Sequence, residues 1–318
     1  MHEITVRQLE YFLAVVDEGS ISAAARRLHI SQAAASMAIQ QLERSLNAEL
    51  LTRSAARRAQ PTPAGQSLLP HARRVVRSMA DATESVRDDH SQMRGVLRVI
   101  SSMTVSPHAL PPLLAHFAEH HPNVRVEISE RSVVEIHEAL RTGEADLGVV
   151  YARQASTDFD QTVIEDGHQH VMLPARHPLS LRDSVRLGEL IEEPLILVDI
   201  PPSVERVTQL IRDLALEPSV RWTSGNFETV RSLVAYGLGW SFVNIVPFTR
   251  ATYDGLEVRY APIADDIPPN PVVAMTPRHH EPPARVREAL RVYTERRARR
   301  GPRPVAAVPG TPAGFDDR

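Results

Sequence analysis

Apolar positions in the first ninety residues recur at helical spacing. Over residues 7–18, Leu9, Phe12, Leu13 and Val16 share one face, which predicts a helix ended by Gly19. Ser20 is placed to cap a short helix over 21–28, and His29-Ile30 makes a tight turn. Ser31 is placed to cap a third helix running to about 46, with Leu28, Ile30, Ile39, Leu42 and Leu46 on the buried side. Ala23, Ala24 and Ala25 supply the small side chains that two closely crossing helices need. This is the geometry of a helix-turn-helix. Residues 50–61 then read as a basic hairpin or wing. Thr62-Pro63 opens a long helix, Thr at the cap and Pro at the first helical position. In it Leu68, Ala72, Val75, Met79, Ala82 and Val86 recur at alternating spacings of four and three, an a/d seam that argues for helix pairing by its polar flanks, with ordinary core packing as the alternative. Pro70 predicts either a kink or a later start to the regular helix.

From Gly95 the period changes. Strands are predicted over 96–101, 123–129, 145–150, 169–174, 195–199, 220–223, 241–246 and 272–275. Helices are predicted over 107–121, 134–141, 202–214, 227–236 and 284–299. Strands alternating with helices predict parallel α/β architecture. Residues 301–318 hold four prolines and three glycines and read as a disordered tail.

Composition narrows the chemistry. The 318 residues suggest two or three domains, with ample core to fold without a staple. There is no cysteine, so disulfides, Cys-ligated metals and thiol nucleophiles are excluded. There is no lysine either; all 36 basic side chains are arginines, which excludes Schiff-base and P-loop lysine chemistry. No run of apolar residues is long enough to span a membrane, and the first nineteen residues do not read as a secretory signal, so the expected location is the cytoplasm. The net charge of −3 hides an asymmetry. Residues 19–78 carry nine arginines against Glu43 and Glu49, a net of +7, and residues 285–300 a net of +5. A basic module on an acidic body suggests polyanion binding confined to the N-terminal part.

These segments, in this order, resemble the LysR-type transcriptional regulators over about residues 5–297. The first signature is Leu9-x-x-Phe12 leading to Gly19-Ser20-x-x-x-Ala24-Ala25-x-x-Leu28-x-Ile30-Ser31-Gln32-x-Ala34-x-Ser36-x-x-Ile39-x-x-Leu42-Glu43. The second is Leu50-Leu51-x-Arg53 with Thr62-x-Ala64-Gly65. The third runs from Leu110-Pro111-x-Leu113-Leu114-x-x-Phe117 through Pro122-x-Val124 to Leu140-x-x-Gly143-x-x-Asp146-Leu147-Gly148. The fourth is Leu233-Val234-x-x-Gly237-x-Gly239 with Pro247 beyond. Leu51 stands where the family often has Phe, Pro61 where an apolar wing residue is usual, and the stretch from Gly239 to Pro247 is longer than the commonest form. The resemblance implies an N-terminal, mainly α winged helix-turn-helix, a long linker helix, and a C-terminal α/β two-lobed effector domain resembling periplasmic binding proteins. The expected boundaries are 1–65 for the DNA-binding domain, 66–92 for the linker and dimerisation helix, and 93–297 for the effector domain. Within the last, lobe I takes 93–163 and 267–297 and lobe II takes 164–266. Residues 298–318 form the tail. The family reads interrupted inverted repeats in double-stranded DNA as a dimer or tetramer.

The third helix has the length to enter the major groove, and its N-terminal residues then reach base edges. Gln32, Ala33 and Ser36 are the candidate readers, with Gln40 beyond them and Ser31 as cap. Arg53, Arg57 and Arg58 on the wing are candidate phosphate or minor-groove contacts. Arg26 and Arg27 either do the same or solvate their helix. Effectors in open α/β sheets bind outside the carboxyl ends of strands. Those ends present Ser101, Ser102, Met103, Thr104, Glu130 and Arg131 in lobe I, and Asp199, Ser203, Asn226, Phe227 and Asn244 in lobe II. Hydroxyls ahead of a helix N-terminus favour a carboxylate, so a small organic acid or amino-acid-like effector is expected. Gly237 and Gly239 are read as backbone-geometry positions. The histidine pairs His120-His121, His168-x-His170 and His279-His280 lack a third patterned ligand, so no metal and no cofactor is expected. RNA polymerase is a further expected partner if the protein activates; no membrane is. The competing classes are an architectural DNA binder with an unresponsive effector lobe, and a small-molecule-binding protein or enzyme of the same α/β fold. No nucleophile elbow or Gly-rich phosphate loop supports an enzyme.

Overall fold

The computed structural model describes residues 4–53, 59–87, 93–201, 203–278 and 281–300. Its N-terminal part is built on α1 (Val6–Glu18), α2 (Ile21–Arg27) and α3 (Gln32–Leu46). Each has a side-chain cap at its start. Thr5 accepts from the Gln8 amide, Ser20 from Ala23 at 3.1 Å and Ser31 from Ala34 at 3.1 Å. Gly19 and His29 adopt positive φ and reverse the chain between the helices. Leu9, Phe12, Leu13, Ile39 and Leu42 form the core with Leu50, Leu51, Leu69 and Ala72. The wing is an antiparallel pair, β1 (Leu51–Arg53) and β2 (Ala59–Pro61). The Glu43 carboxylate accepts from the backbone N–H groups of Leu50 and Leu51 at 2.9 and 3.3 Å and so fixes the wing to the end of α3.

Helix α4 (Pro63–Arg87) opens as its sequence demands: Thr62 accepts from the Gly65 amide at 3.1 Å and donates to the Glu49 carbonyl at 2.6 Å. A Cβ on Gly65 would lie 2.1 Å from the Leu50 carbonyl oxygen, so only glycine lets the helix approach the wing this closely. The helix is continuous through Pro70. The expected seam divides by environment. Ala72 is buried against the N-terminal core, whereas Val75 and Met79 are 44% and 54% exposed.

The remainder forms two sheets. The first has strand order β4-β3-β5-β12-β6, with β3 (Gly95–Ser101), β4 (Val124–Glu130), β5 (Leu147–Tyr151), β6 (Phe159–Glu165) and β12 (Val272–Pro277). Helices α5 (Ser106–His120) and α6 (Val133–Arg141) connect its parallel strands, and α9 (Ala284–Arg300) packs on it last. The second holds β7 (His170–Pro174), β8 (Leu195–Val198), β9 (Val220–Ser224), β10 (Ser241–Val243) and β11 (Val258–Pro262), with α7 (Ser203–Asp213) and α8 (Phe227–Ala235). Here β10-β7-β11 and β8-β9 join through a parallel bridge between Leu195 and Trp240.

The sheets are mixed, not parallel. Strands β3, β4 and β5 and the pair β8-β9 are parallel, but β12 runs antiparallel to β5 and β6, and β7 antiparallel to β10 and β11. The cause is the double passage of the chain between sheets. A parallel neighbour needs a long crossover, usually helical, and the returning strands have none. Two strands not predicted from the sequence, β6 and β11, enter through these passages. The passages themselves touch: the Asn270 amide donates to the Gly167 carbonyl at 3.0 Å, and a Cβ on Gly167 would strike the Asn270 oxygen. Gly239 (φ +150°) makes a similar approach to Pro194, and Gly237 has φ +78°. Helix α9 extends to Arg300, further than the expected tail boundary, because Arg297 and Arg300 pair with Asp166 and Glu165 at the end of β6.

Candidate functional sites

On α3, Gln32 and Ala33 are exposed and Ser36 and Gln40 half-exposed. Their spacing puts them on one outward face. Met37, not predicted, joins them: it lies four residues beyond Ala33 and is 58% exposed. An exposed methionine in a polar stripe is the signal that marks it. Ser31 is held as a cap by its bond from the Ala34 amide. Arg27 pairs with Glu18 at 3.1 Å and lies 3.6 Å from Asp17, whereas Arg26 is exposed. Arg53 ends β1; its side chain, and Arg57 and Arg58 entirely, lie outside the described residues.

Between the sheets lies a cavity of about 80 Å³. Three expected residues reach it: Thr104 after β3, Phe227 at the start of α8, and Asn244 just after β10. Tyr151, Gln169, Ser241 and His108 complete its polar lining, and none of these was expected. Tyr151 ends β5 one residue beyond its predicted limit, and its hydroxyl is hydrogen-bonded by the Thr104 and Asn244 side chains. Burial pushes that phenol well above its ordinary range, so it stays protonated. The Gln169 Oε1, Ser241 Oγ and Asn244 Oδ1 atoms are buried there without a hydrogen-bond partner. Such orphans are costly, at about 1–3 kcal/mol each, and all three atoms belong to residues lining this one cavity.

The other expected effector residues stand elsewhere. Ser101 is buried and donates to the Ser102 and Val149 carbonyls. Ser102 is buried, with its hydroxyl unpartnered. Met103, Glu130 and Asp199 are exposed, and none lines the cavity. Arg131 pairs with Glu144 at 2.7 Å. Asn226 caps α8, accepting from the amides of Glu228 and Thr229. The side chain of Ser203 lies outside the described residues.

Helix α4 is tied to both neighbours. Arg73 donates to Asp17 of α1 at 2.8 Å and to the Thr142 hydroxyl at 3.2 Å. Arg77 donates to Asp146 at 2.5 Å, to the Glu144 carbonyl at 3.2 Å and to the Gly143 carbonyl. Asp146 is buried and also accepts from the Arg98 amide at 2.9 Å. The motif Gly143-x-x-Asp146 is thus the seat of the linker helix, a role its spacing alone did not reveal. On the far side of this sheet, His116, His121 and Glu288 come together, at 2.7 and 3.3 Å between ring Nε2 and carboxylate oxygen. Arg291 also donates to both oxygens of Glu288, and the carboxyl is held down at about 2, mainly by Arg291 and then by the histidines. These bonds clamp α5 to α9. His168 and His170 are not part of this group, and His279-His280 lies outside the described residues. Among the described residues, no helix is long and apolar enough to cross a membrane.

Two family models match the chain. Residues 6–66 match the bacterial regulatory helix-turn-helix protein, lysR family, and residues 90–298 match the LysR substrate binding domain. The chain is 31% identical over 284 residues to YnfL, an uncharacterized HTH-type transcriptional regulator of Escherichia coli strain K12, covering 87% of this chain and 94% of that protein. It is 27% identical to the HTH-type transcriptional regulator AlsR of Bacillus subtilis strain 168, covering 87% and 92%. Among solved structures it is similar to HinK, a LysR family transcriptional regulator from Pseudomonas aeruginosa, with a TM-score of 0.61 and 27% identity over 93% of this chain and 99% of that one.

Proposed function

The chain belongs to the LysR family of bacterial transcriptional regulators, with a helix-turn-helix DNA-binding domain and an effector-binding domain, and on that premise we propose that its effector is a compact hydroxy- or amino-substituted organic acid held in the cavity between the two sheets. The observation that carries this reading is the convergence of three unpartnered atoms, Gln169 Oε1, Ser241 Oγ and Asn244 Oδ1, on that cavity. The two amide oxygens call for donors, which a hydroxyl or ammonium group supplies. The hydroxyls of Thr104 and Ser241 can donate to a carboxylate. Among the described residues no arginine lines the cavity. The acid is therefore recognised by hydrogen bonds from neutral side chains and from His108. The volume favours a molecule of few heavy atoms, since small-molecule sites are commonly about 300–1,000 Å³.

On DNA, Gln32, Ala33, Ser36, Met37 and Gln40 read base edges in the major groove, while the wing arginines Arg53, Arg57 and Arg58 meet phosphates. Val75 and Met79 are the exposed seam on which a second α4 packs, so two reading helices address an interrupted inverted repeat. Effector binding biases the arrangement of the two sheets, and Arg73 and Arg77 carry that bias to α4. If the bound form activates, RNA polymerase is the further partner. The experiment is a thermal-shift screen of small hydroxy and amino acids, followed by footprinting with the acid that binds. A hit whose stabilisation vanishes in Gln169→Ala and Asn244→Ala, and which alters the footprint, is the expected result. Stabilisation that survives both substitutions refutes the assignment of the cavity.

A further inference from the structure

A second cavity does not lie between the two sheets. It is a crevice of about 610 Å³ where the linker helix α4 meets the first sheet and its helices, well inside the usual range for small-molecule sites. A cavity of about 150 Å³ is enough for benzene, so this one takes a body of several rings or a long alkyl chain. Its walls combine two features. Leu140, Phe159, Val286 and a run of prolines give apolar surface, and among the described residues arginines outnumber carboxylates five to three.

The arginines are divided between two bodies. Arg74 and Arg77 come from α4, whereas Arg141, Arg278 and Arg285 come from the effector domain. The positive charges of Arg98 and Arg285 act on Arg77 across the junction, and Asp146 opposes them at close range. Arg141 and Arg278 hold exposed ion pairs with Glu138 and with Asp160, weak attachments that a ligand can compete with. An anion in the crevice would meet like charges from both sides at once. It would add a further bridge between α4 and the effector domain to the one that Arg77 and Asp146 already make.

We propose that this crevice is a second ligand site, distinct from the cavity between the sheets, and that it takes an organic anion with an apolar body. Occupancy fastens the linker helix to the effector domain and so acts on the orientation of the DNA-binding domain directly, without passing through the inter-sheet cavity. The proposal is independent of the effector reading above, because no residue is shared between the two linings.

The test is calorimetric titration of the full chain with naphthalene-2-sulfonate and with decanoate as probes. The expected result is one probe per chain. Binding should weaken at least tenfold in the double variant Arg141→Glu/Arg278→Glu, whose substitutions are at exposed positions. It should weaken equally in Ser78→Trp, which fills the crevice from the α4 side. Circular dichroism melting checks that both variants fold, and Asn244→Ala, in the other cavity, should leave probe affinity unchanged. No binding at millimolar probe overturns the proposal. So does affinity unaltered in both crevice variants, or affinity lost only in Asn244→Ala, which assigns the probe to the inter-sheet cavity.

Discussion

Replacing Arg77 with methionine keeps most of the apolar stem and removes the guanidinium from the seat of α4. Three contacts are lost: the bond to Asp146 at 2.5 Å and those to the Gly143 and Glu144 carbonyls. The Asp146 side chain, only 6% exposed, keeps one donor, the Arg98 amide. Breaking a fully buried ion pair costs about 3–5 kcal/mol. Two effects reduce that here. The Arg77 side chain is 24% exposed, so water replaces part of what is lost, and its removal relieves repulsion from Arg98, Arg73 and Arg285. The expected cost is therefore about 2 kcal/mol, seen as a fall of about 4–8 °C in the melting of the effector domain by calorimetry. Asp146→Asn and the double variant complete a cycle, with an expected coupling of about 1–2 kcal/mol. A loss below about 0.5 kcal/mol for Arg77→Met, with the two substitutions additive, would refute the idea that this pair holds the linker helix in place.

Glu288, whose carboxyl is held at about 2 against an ordinary 4.5, stabilises the fold fully above about pH 4.5, and the contribution is lost as pH falls toward 2. After discounting for screening around the exposed Arg291, about 1–2 kcal/mol is at stake, and Glu288→Gln should flatten the acid limb of a pH-dependent urea-denaturation series by that amount. Arg231, on the buried face of α8, donates to the Thr249 and Ala251 carbonyls at 3.0 and 2.9 Å and to Glu228. Arg231→Met leaves the Thr249 and Ala251 carbonyls without their donor, whereas Glu228, 34% exposed, stays solvated, so a loss of about 1–3 kcal/mol is expected in the same measurement, with proteolysis accelerating between residues 248 and 256. A Cβ on Gly148 would lie 2.7 Å from Leu140 Cδ1 and 3.0 Å from Ile136 Cγ2. Gly148→Ala should cost about 1–3 kcal/mol, and Leu140→Val added to it should recover part of the loss.

Helices were the most legible part of the chain because their signals are local. Ser20, Ser31 and Thr62 announce three helix starts by the oxygen each offers to an amide two or three residues on. Pro70 does not delay the start of α4, which begins at Pro63 and continues through it. Strands β6 and β11 were missed for a physical reason. Phe159–Glu165 exposes two successive polar residues and Val258–Pro262 ends in proline, so neither shows the alternation of a half-buried strand. They become strands because β12 and β7 are there to pair with. The reading face of α3 was visible in its periodicity, apart from Met37. The inter-sheet cavity was visible only in part. Thr104, Phe227 and Asn244 follow from the rule that ligands gather at strand ends, but Gln169 and Ser241 sit at the beginnings of β7 and β10. Antiparallel pairing sets the start of β7 opposite the end of β10, His170 facing Val243, so Gln169 reaches the edge where Asn244 stands, and no parallel scheme predicts it.

Arg73 touches Asp17 with one nitrogen of its guanidinium and Thr142 with the other. That single side chain makes the modules of this protein less interchangeable than their sequence boundaries suggest. A hybrid regulator joined just after the wing, near residue 66, would bring in a foreign Asp17 counterpart while keeping this α4, and the two would have to match by chance. A junction placed after α4 carries the Asp17–Arg73 pair intact but transfers the demand to Thr142 and Asp146 of the recipient. Grafting a new DNA specificity onto this effector domain therefore calls for exchanging only the outward positions of α3. The inward faces of α1 and α4 are best left as they are.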